Sequence, residues 1–357
     1  MLLSGICMSK TVNIREIAKA AGVSIASVSR ALQSTPSRYL SEKQRQKILD
    51  VCAQMHYQPN EHTRRMLSRR ANTVAILFPP SLLVNADYQS HNMDNNFGEC
   101  MMGVQSVLVE HGIGLLLGEV SKIFLDERKH LKMSQSKAID GVLAWGVMVD
   151  DVYPQEILQE NIPLVMLQNE LSSCRCNKVI ADNYTGTSAV AEQILQAGHR
   201  KIAVAGAPMT SSSGRERYWR IVETLQKYGI KPVFKTVEQG YGYLFGCRAT
   251  EEIRQSGKEF TAIIASNDLA AWGCIETLAK YGMKVPEDIS TGGADGLHFP
   301  GSMRVSSFYL PAYEIGRIGA ELLLGQLNGD RQIHHCCLPV NQIPGETIKN
   351  IKNKEQG

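Results

Sequence analysis

Five polar side chains stand shortly after apolar, β-branched runs of this 357-residue chain. Arg215 and Arg217 follow RKIAVAG (200–206) within SSSGRERYW, Asn267 and Asp268 follow TAIIAS (261–266), and Asp295 stands in GGADG. Open α/β sheets bind ligands at the carboxyl ends of their strands, where an Arg, an Asn and an Asp together supply donors and acceptors suited to a polyol. Each one taken alone reads as well as a loop cap or a surface ion pair. A second set, VNIREIAKAAGVSIASVSRAL (12–32), is spaced for reading base edges. Ile14, Ile17 and Ala18 repeat at helical spacing behind Asn13 and Glu16, Gly22 interrupts, and Ser24 caps a second helix with Val28 and Leu32 on one side. This pattern predicts a helix-turn-helix whose second helix is shaped for the DNA major groove. An ordinary αα-hairpin is the alternative.

The elements that must position these residues follow from the same periodicities. A third helix is expected behind Ser41 and Gln44, with Ile48, Val51, Cys52 and Met55 as its apolar stripe. Pro59 stops it, and Asn60 caps a short segment carrying Arg64, Arg65, Arg69 and Arg70, which would order only against a phosphate-lined partner. From residue 73 the pattern changes. Strands are expected at 73–78, 113–118, 140–145, 163–168, 200–206 and 261–266, with helices near 97–111, 184–198, 214–229, 242–256 and 268–281. Such alternation implies parallel sheets covered on both faces, an α/β body behind an all-α head.

Charge supports that division. The net charge is +3, but residues 1–70 hold twelve Lys/Arg against four Asp/Glu, about +8, which leaves about −5 for the rest. A basic head on an acidic body is the footprint of a nucleic-acid reader with a second function attached. The nine cysteines form no CxxC and no zinc-ligand spacing with His, so reduced structural thiols are expected and no metal or cofactor. The apolar run of MLLSGICMSK is too short for a signal peptide, Met8 is a candidate start, and a cytoplasmic location is expected. GYGYLFG (240–246) misses the dinucleotide spacing, and neither an HExxH motif nor a Ser/His/Asp constellation is visible. His334 and His335 lie beside Cys336 and Cys337, but neighbours on a strand face opposite ways. The chain is not expected to be an enzyme.

IREIAKAAGVSIASVSRAL, then HYQPNEHTRRML, then the words of the body closely resemble the lactose-repressor/galactose-repressor family of bacterial transcription regulators over almost the whole chain. The resemblance implies a helix-turn-helix domain over 1–59, a hinge helix over 60–72 and a two-lobed, periplasmic-binding-protein-like body over 73–357 that holds a small molecule, a sugar above all, between its lobes. It implies operator DNA as a partner of a homodimer. Ser24, Ile25, Ala26, Ser27, Ser29 and Arg30 become the candidate DNA contacts of the recognition helix, with Tyr57, Asn60, Arg64, Met66 and Leu67 at the hinge. Met66, where the family usually has Leu, or Leu67 would wedge into the minor groove. Arg217, Asn267 and Asp295 match effector-contacting positions, Tyr241 falls where a ring often stacks on the ligand, and Trp145 is a candidate for the cleft wall or for the core.

Several positions depart from the family pattern. Residues 80–96 form a longer loop at the cleft mouth, Thr63 replaces a small Ala, Leu310 a Gln, Ala294 a ring and Arg220 a Gly. The ligand therefore does not carry over from any one relative. A solute-binding protein would explain the body but not the basic head. A regulator of the same fold answering to a nucleobase or a partner protein is the other alternative.

Overall fold

The computed structural model describes residues 12–32, 39–57, 70–80, 95–237, 239–298 and 301–352. The chain divides into two compact units, residues 1–70 and 71–357. Most of the expected hinge, 60–69, and most of the long loop, 81–94, lie outside the described residues.

In the first unit Asn13 starts helix α1 (Ile14–Ala21): its Oδ1 accepts from Arg15 N at 2.9 Å and Glu16 N at 3.1 Å, and Glu16 Oε2 accepts from Asn13 N at 2.9 Å. Gly22 ends it in the left-handed region at φ 70°, which glycine reaches without steric cost. Ser24 caps α2 (Ile25–Ala31), and Ser41 with Gln44 caps α3 (Glu42–Gln54). The three helices share a core of Ile17, Ala18, Ala21, Val28, Ala31, Ile48 and Cys52, braced by half-buried Leu32, Val51, Met55 and Tyr57. Ile17, Val28 and Ile48 are each 0 % exposed, and burial of such a side chain contributes about 1.5–3 kcal/mol. Two short helices alone offer too little apolar surface, so α3 completes the unit.

The second unit begins where Ala71 N and Asn72 N donate to the two carboxylate oxygens of Asp140 at 2.8 and 2.7 Å. Its strands are β1 (Thr73–Phe78), β2 (Gly114–Glu119), β3 (Gly141–Trp145), β4 (Leu164–Leu167), β5 (Asn177–Ala181), β6 (Ile202–Ala205), β7 (Phe234–Lys235), β8 (Ala262–Ala265), β9 (Ser290–Gly292), β10 (Ser307–Tyr309), β11 (His335–Leu338) and β12 (Asn341–Ile343). One sheet runs β11-β5-β4-β3-β1-β2 and a second β7-β6-β8-β9, every neighbouring pair parallel. Antiparallel β10 and β12 form a short ribbon.

Both sheets are covered on both faces, as their continuous apolar strands require. Helices α4 (Asn95–Glu110) and α12 (Ala312–Leu327) cover one face of the six-stranded sheet. Helices α5 (Lys122–Asp126), α6 (Lys129–Gln135) and α7 (Tyr153–Gln159) cover the other. Helices α8 (Asn183–Gln196) and α9 (Ser212–Lys227) pack on one face of the four-stranded sheet, α10 (Tyr243–Gln255) and α11 (Asp268–Lys280) on the other. These are the two lobes of the α/β body.

The chain passes between the lobes three times. It leaves the first after β5 to enter α8, returns after β10 to enter α12, and leaves again between β11, which pairs with β5, and β12, which pairs with β10. Thr291 N then donates to Thr347 O at 2.8 Å, which fixes the last segment to the second lobe. Among the described residues no helix is long and apolar enough to cross a membrane.

Candidate nucleic-acid interface and ligand cleft

Helix α2 turns Val28 and Ala31 inward, which leaves Ser24, Ile25, Ala26 and Arg30 exposed and Ser27 and Ser29 half-buried. Ser24 Oγ is occupied locally, accepting from Ser27 N at 3.1 Å and lying 2.9 Å from Ser27 Oγ. The Arg30 guanidinium lies 5.5 Å from the centre of the Tyr39 ring, itself 68 % exposed, so an aromatic joins the cation on this surface. Sequence reasoning missed Tyr39, which stands between the second and third helices with no periodic signal. Tyr57 packs against the head's core, and burial, followed by the neighbouring Cys52, pushes its phenol pKa up. Asn60, Arg64, Met66 and Leu67 lie outside the described residues.

In the second lobe four expected side chains stand at the carboxyl edge of one parallel sheet. Arg217 is in the second turn of α9, after β6; Asn267 caps α11 directly after β8; Asp295 follows β9; Tyr241 precedes α10. Arg217 is 4 % exposed and engaged through all three nitrogens: Nε donates to Asn183 Oδ1 at 2.8 Å, one terminal nitrogen to Ser266 O at 3.1 Å, the other to Asp295 Oδ1 at 2.8 Å. A guanidinium carries five N–H bonds, so two remain beyond these three. Its carbon lies 5.5 Å from the centre of the Phe308 ring and 6.0 Å from that of Tyr241. Burial opposes its charge, but Asp295 and the other acidic neighbours outweigh burial and hold the pKa above the ordinary value.

Asp295 adopts φ 105°, a strained conformation for any residue but glycine, and the surrounding structure fixes it there: its N donates to Phe308 O at 3.0 Å and its O accepts from Leu310 N at 3.2 Å. Asn267 Oδ1 accepts from Ala270 N at 3.0 Å and Gly242 N at 3.2 Å, a network that assigns the amide's orientation. The two N–H bonds of Asn267 take no part in these contacts. Tyr241 Oη is 3.5 Å from Ser211 Oγ, and a Cβ on Gly214 would come within 3.0 Å of that hydroxyl and overlap the backbone of Pro208. Beside them Asp268, 0 % exposed, accepts from Leu297 N at 2.7 Å while its Oδ1 has no hydrogen-bond partner. Burial first, then the charge of Asp295, raises its pKa well above the carboxylate range.

The first lobe meets this edge with different chemistry. Trp145 ends β3 but is 3 % exposed, with Phe97 tilted against it at 5.9 Å inside the lobe's core. Leu310 is buried in the same core, and Ala294 packs with Val190 and Phe308. Arg220 turns to the Tyr184 ring and to Glu223 Oε2 at 2.9 Å. The lobes touch through backbone and small polar groups: Val149 N donates to Thr210 O at 2.8 Å, Glu170 N to Ser212 Oγ at 2.9 Å and Ser213 N to Asn169 Oδ1 at 3.2 Å.

Asn183, which holds Arg217, escaped sequence reasoning because β5, the strand leading to it, was not recognised. Among the described residues no group of three or more His, Cys, Asp or Glu is arranged to hold a metal ion.

Comparison with known proteins gives a consistent placement. The model of the bacterial regulatory proteins of the lacI family matches residues 13–60, and that of the periplasmic binding protein-like domain matches residues 191–348. A probable HTH-type transcriptional repressor, ExuR of Bacillus subtilis, is 26 % identical over 321 residues, 89 % of this chain and 92 % of its own. The ribose operon repressor of the same organism is 27 % identical over 87 % of this chain and 90 % of its own. A crystal structure of the lac repressor dimer bound to operator and the anti-inducer ONPF shares the fold, with a TM-score of 0.80 and 21 % identity over 95 % of this chain and 100 % of that one. The chain belongs to the lactose-repressor/galactose-repressor family of bacterial transcription regulators.

Proposed function

We propose that this chain is a sequence-specific DNA-binding transcription repressor whose operator affinity is set by a small molecule held between the lobes of its body. The observation that carries the reading is the set of groups left over at the second lobe's edge: two N–H bonds of Arg217, the amide of Asn267 and the second oxygen of Asp295, with the Tyr241 ring beside them. That set suits a polyhydroxylated ligand flanked by a ring. Because Asp295 already balances the buried Arg217, an anionic ligand would leave an excess charge in a desolvated site, so the effector is an uncharged sugar.

The head reads DNA through Ile25, Ala26, Ser29 and Arg30, flanked by Ser24 and Ser27, with Tyr57, Asn60 and Arg64 near the phosphates. Met66 or Leu67 supplies a minor-groove wedge. One short recognition helix reads few base pairs, so a homodimer on a roughly palindromic operator is the working form. We assign it no catalytic role and no cofactor.

A thermal-shift screen of the full-length protein tests the cleft. Neutral pentoses and hexoses, uronates, sugar phosphates and nucleobases are compared. A ligand at a hundred times its dissociation constant stabilises by about 2.7 kcal/mol. A shift confined to neutral sugars supports the reading. A shift only with nucleobases moves the effector to that class, and none with any small molecule points to a partner protein.

A further inference from the structure

Arg217 touches two of the three passages between the lobes. Its Nε donates at 2.8 Å to Asn183 Oδ1, on the first residue of α8 just beyond the first crossing, and Asn183 Nδ2 donates to Ala181 O at 3.3 Å at the end of β5. Its far nitrogen donates at 2.8 Å to Asp295, which is joined backbone to backbone to Phe308 and Leu310, the residues leading into the second crossing. The Phe308 ring fills the space between. It lies 5.5 Å from the guanidinium carbon and flush against Gly186 of α8, where a Cβ would overlap the ring. Asn183 is 1 % exposed, so its amide is held in one place.

A planar fork anchored on both edges has a fixed plane as well as a fixed position. The ion pair with Asp295 keeps the charge in place and the Ser266 carbonyl holds the other terminal nitrogen, while Asn183 Oδ1 is the acceptor on the Nε edge. We infer that Asn183 is a positioning residue: it fixes the plane of Arg217 and, through Arg217, ties the first and second interlobe crossings into one brace. The role of this brace in answering an effector rests on the cleft reading above; the brace itself exists without ligand. An occupant that binds the two spare N–H bonds of Arg217 then acts on both crossings at once.

Hydrogen exchange of the full-length, ligand-free protein tests the brace. Asn183→Ala leaves the bonds of Asp295 N to Phe308 O and Leu310 N to Asp295 O untouched. Loss of one anchor of Arg217 is nevertheless expected to speed exchange at both amides roughly tenfold, with β6 and β8 unchanged. Faster exchange confined to Thr185 and Gly186, in the first turn of α8, would overturn the proposal and leave Asn183 a local structural residue. Arg217→Lys provides a second reading if the first variant fails to fold. It keeps a cation beside Asp295 but lacks the second edge that holds Asn183, so Thr185 and Gly186 should exchange faster together with Asp295 and Leu310, as in Asn183→Ala. Wild-type exchange at Thr185 and Gly186 in that variant would contradict the brace. Because no ligand is present, failure of every sugar to bind would overturn the cleft reading without touching this result.

Discussion

The two lobes present different materials to the cleft they share. At the edge of the second lobe, the strand ends carry Arg217, Asn267, Asp268 and Asp295, linked by hydrogen bonds and buried charge. At the edge of the first, Phe78, Trp145, Leu167 and Ala181 are all buried in one apolar core. In the proposed function the same parallel architecture does two jobs: the second lobe recognises, and the first, joined to it through Asn169 and the backbone of Val149 and Glu170, closes against it and transmits the change. Coupling of this kind is reciprocal, so DNA bound to the head must alter ligand affinity by the factor with which ligand alters DNA affinity.

The largest expected effect falls on the recognising lobe. Arg217→Met leaves Asp295 and Asn183 buried without their partner, and breaking a buried pair costs about 3–5 kcal/mol. Thermal unfolding should show the loss together with disappearance of any ligand-induced shift. A stable variant that still responds to ligand would move recognition away from this edge.

Trp145→Leu sharpens the contrast from the other side. It should cost about 2–4 kcal/mol through lost packing on Phe97, with ligand affinity per folded molecule unchanged. If calorimetric titration instead shows affinity lost at little cost in stability, Trp145 lines the cleft and the first lobe also recognises. Asn267→Ser keeps an oxygen able to cap α11 but removes both amide donors. Ligand affinity is then expected to fall by about 1–3 kcal/mol while the melting temperature stays close to wild type.

The smallest effect is a slope with pH. The folded protein keeps the Asp268 proton at pH values where the unfolded chain has lost it. This group's contribution to stability therefore falls as pH rises above its unfolded pKa of about 3.9, until the raised folded pKa is reached. Asp268→Asn removes that slope, so the variant's melting temperature relative to wild type should climb between pH 4 and pH 7. A difference that stays flat would mean that Asp268 is ionised in the folded protein.

Legibility in the sequence divides along similar lines. The head was readable because its signals are local: Asn13 with Glu16, Gly22, Ser24, and Ser41 with Gln44 each determine a helix end within a few residues. The six expected strands were readable as continuous apolar runs. HCCL of β11, an exposed edge, was legible as a strand from its position alone. Others were not: NKVIA of β5 alternates buried with half-buried positions, and STG of β9 is polar yet fully buried, ordered by pairing with β8.

Helix α12 carried a readable apolar stripe and was overlooked. Gly103 and Gly316, which let α4 and α12 meet backbone to backbone, gained their meaning only from the packed pair. At the site, resemblance selected Arg217, Asn267, Asp295 and Tyr241. The hydrogen bonds that make them one constellation span separations of 25 to 78 residues, which no local pattern reveals.

The most direct test of the account measures the affinity of the full-length protein for a duplex selected from a random pool, with and without the neutral sugar that raises its melting temperature, at one fixed salt concentration. A change of roughly 5–150-fold in dissociation constant is expected, with the sugar concentration needed to produce it raised by about the same factor in Asn267→Ser. Equal affinity at zero and saturating sugar would mean that the cleft and the DNA-reading head are not coupled, and would contradict the account.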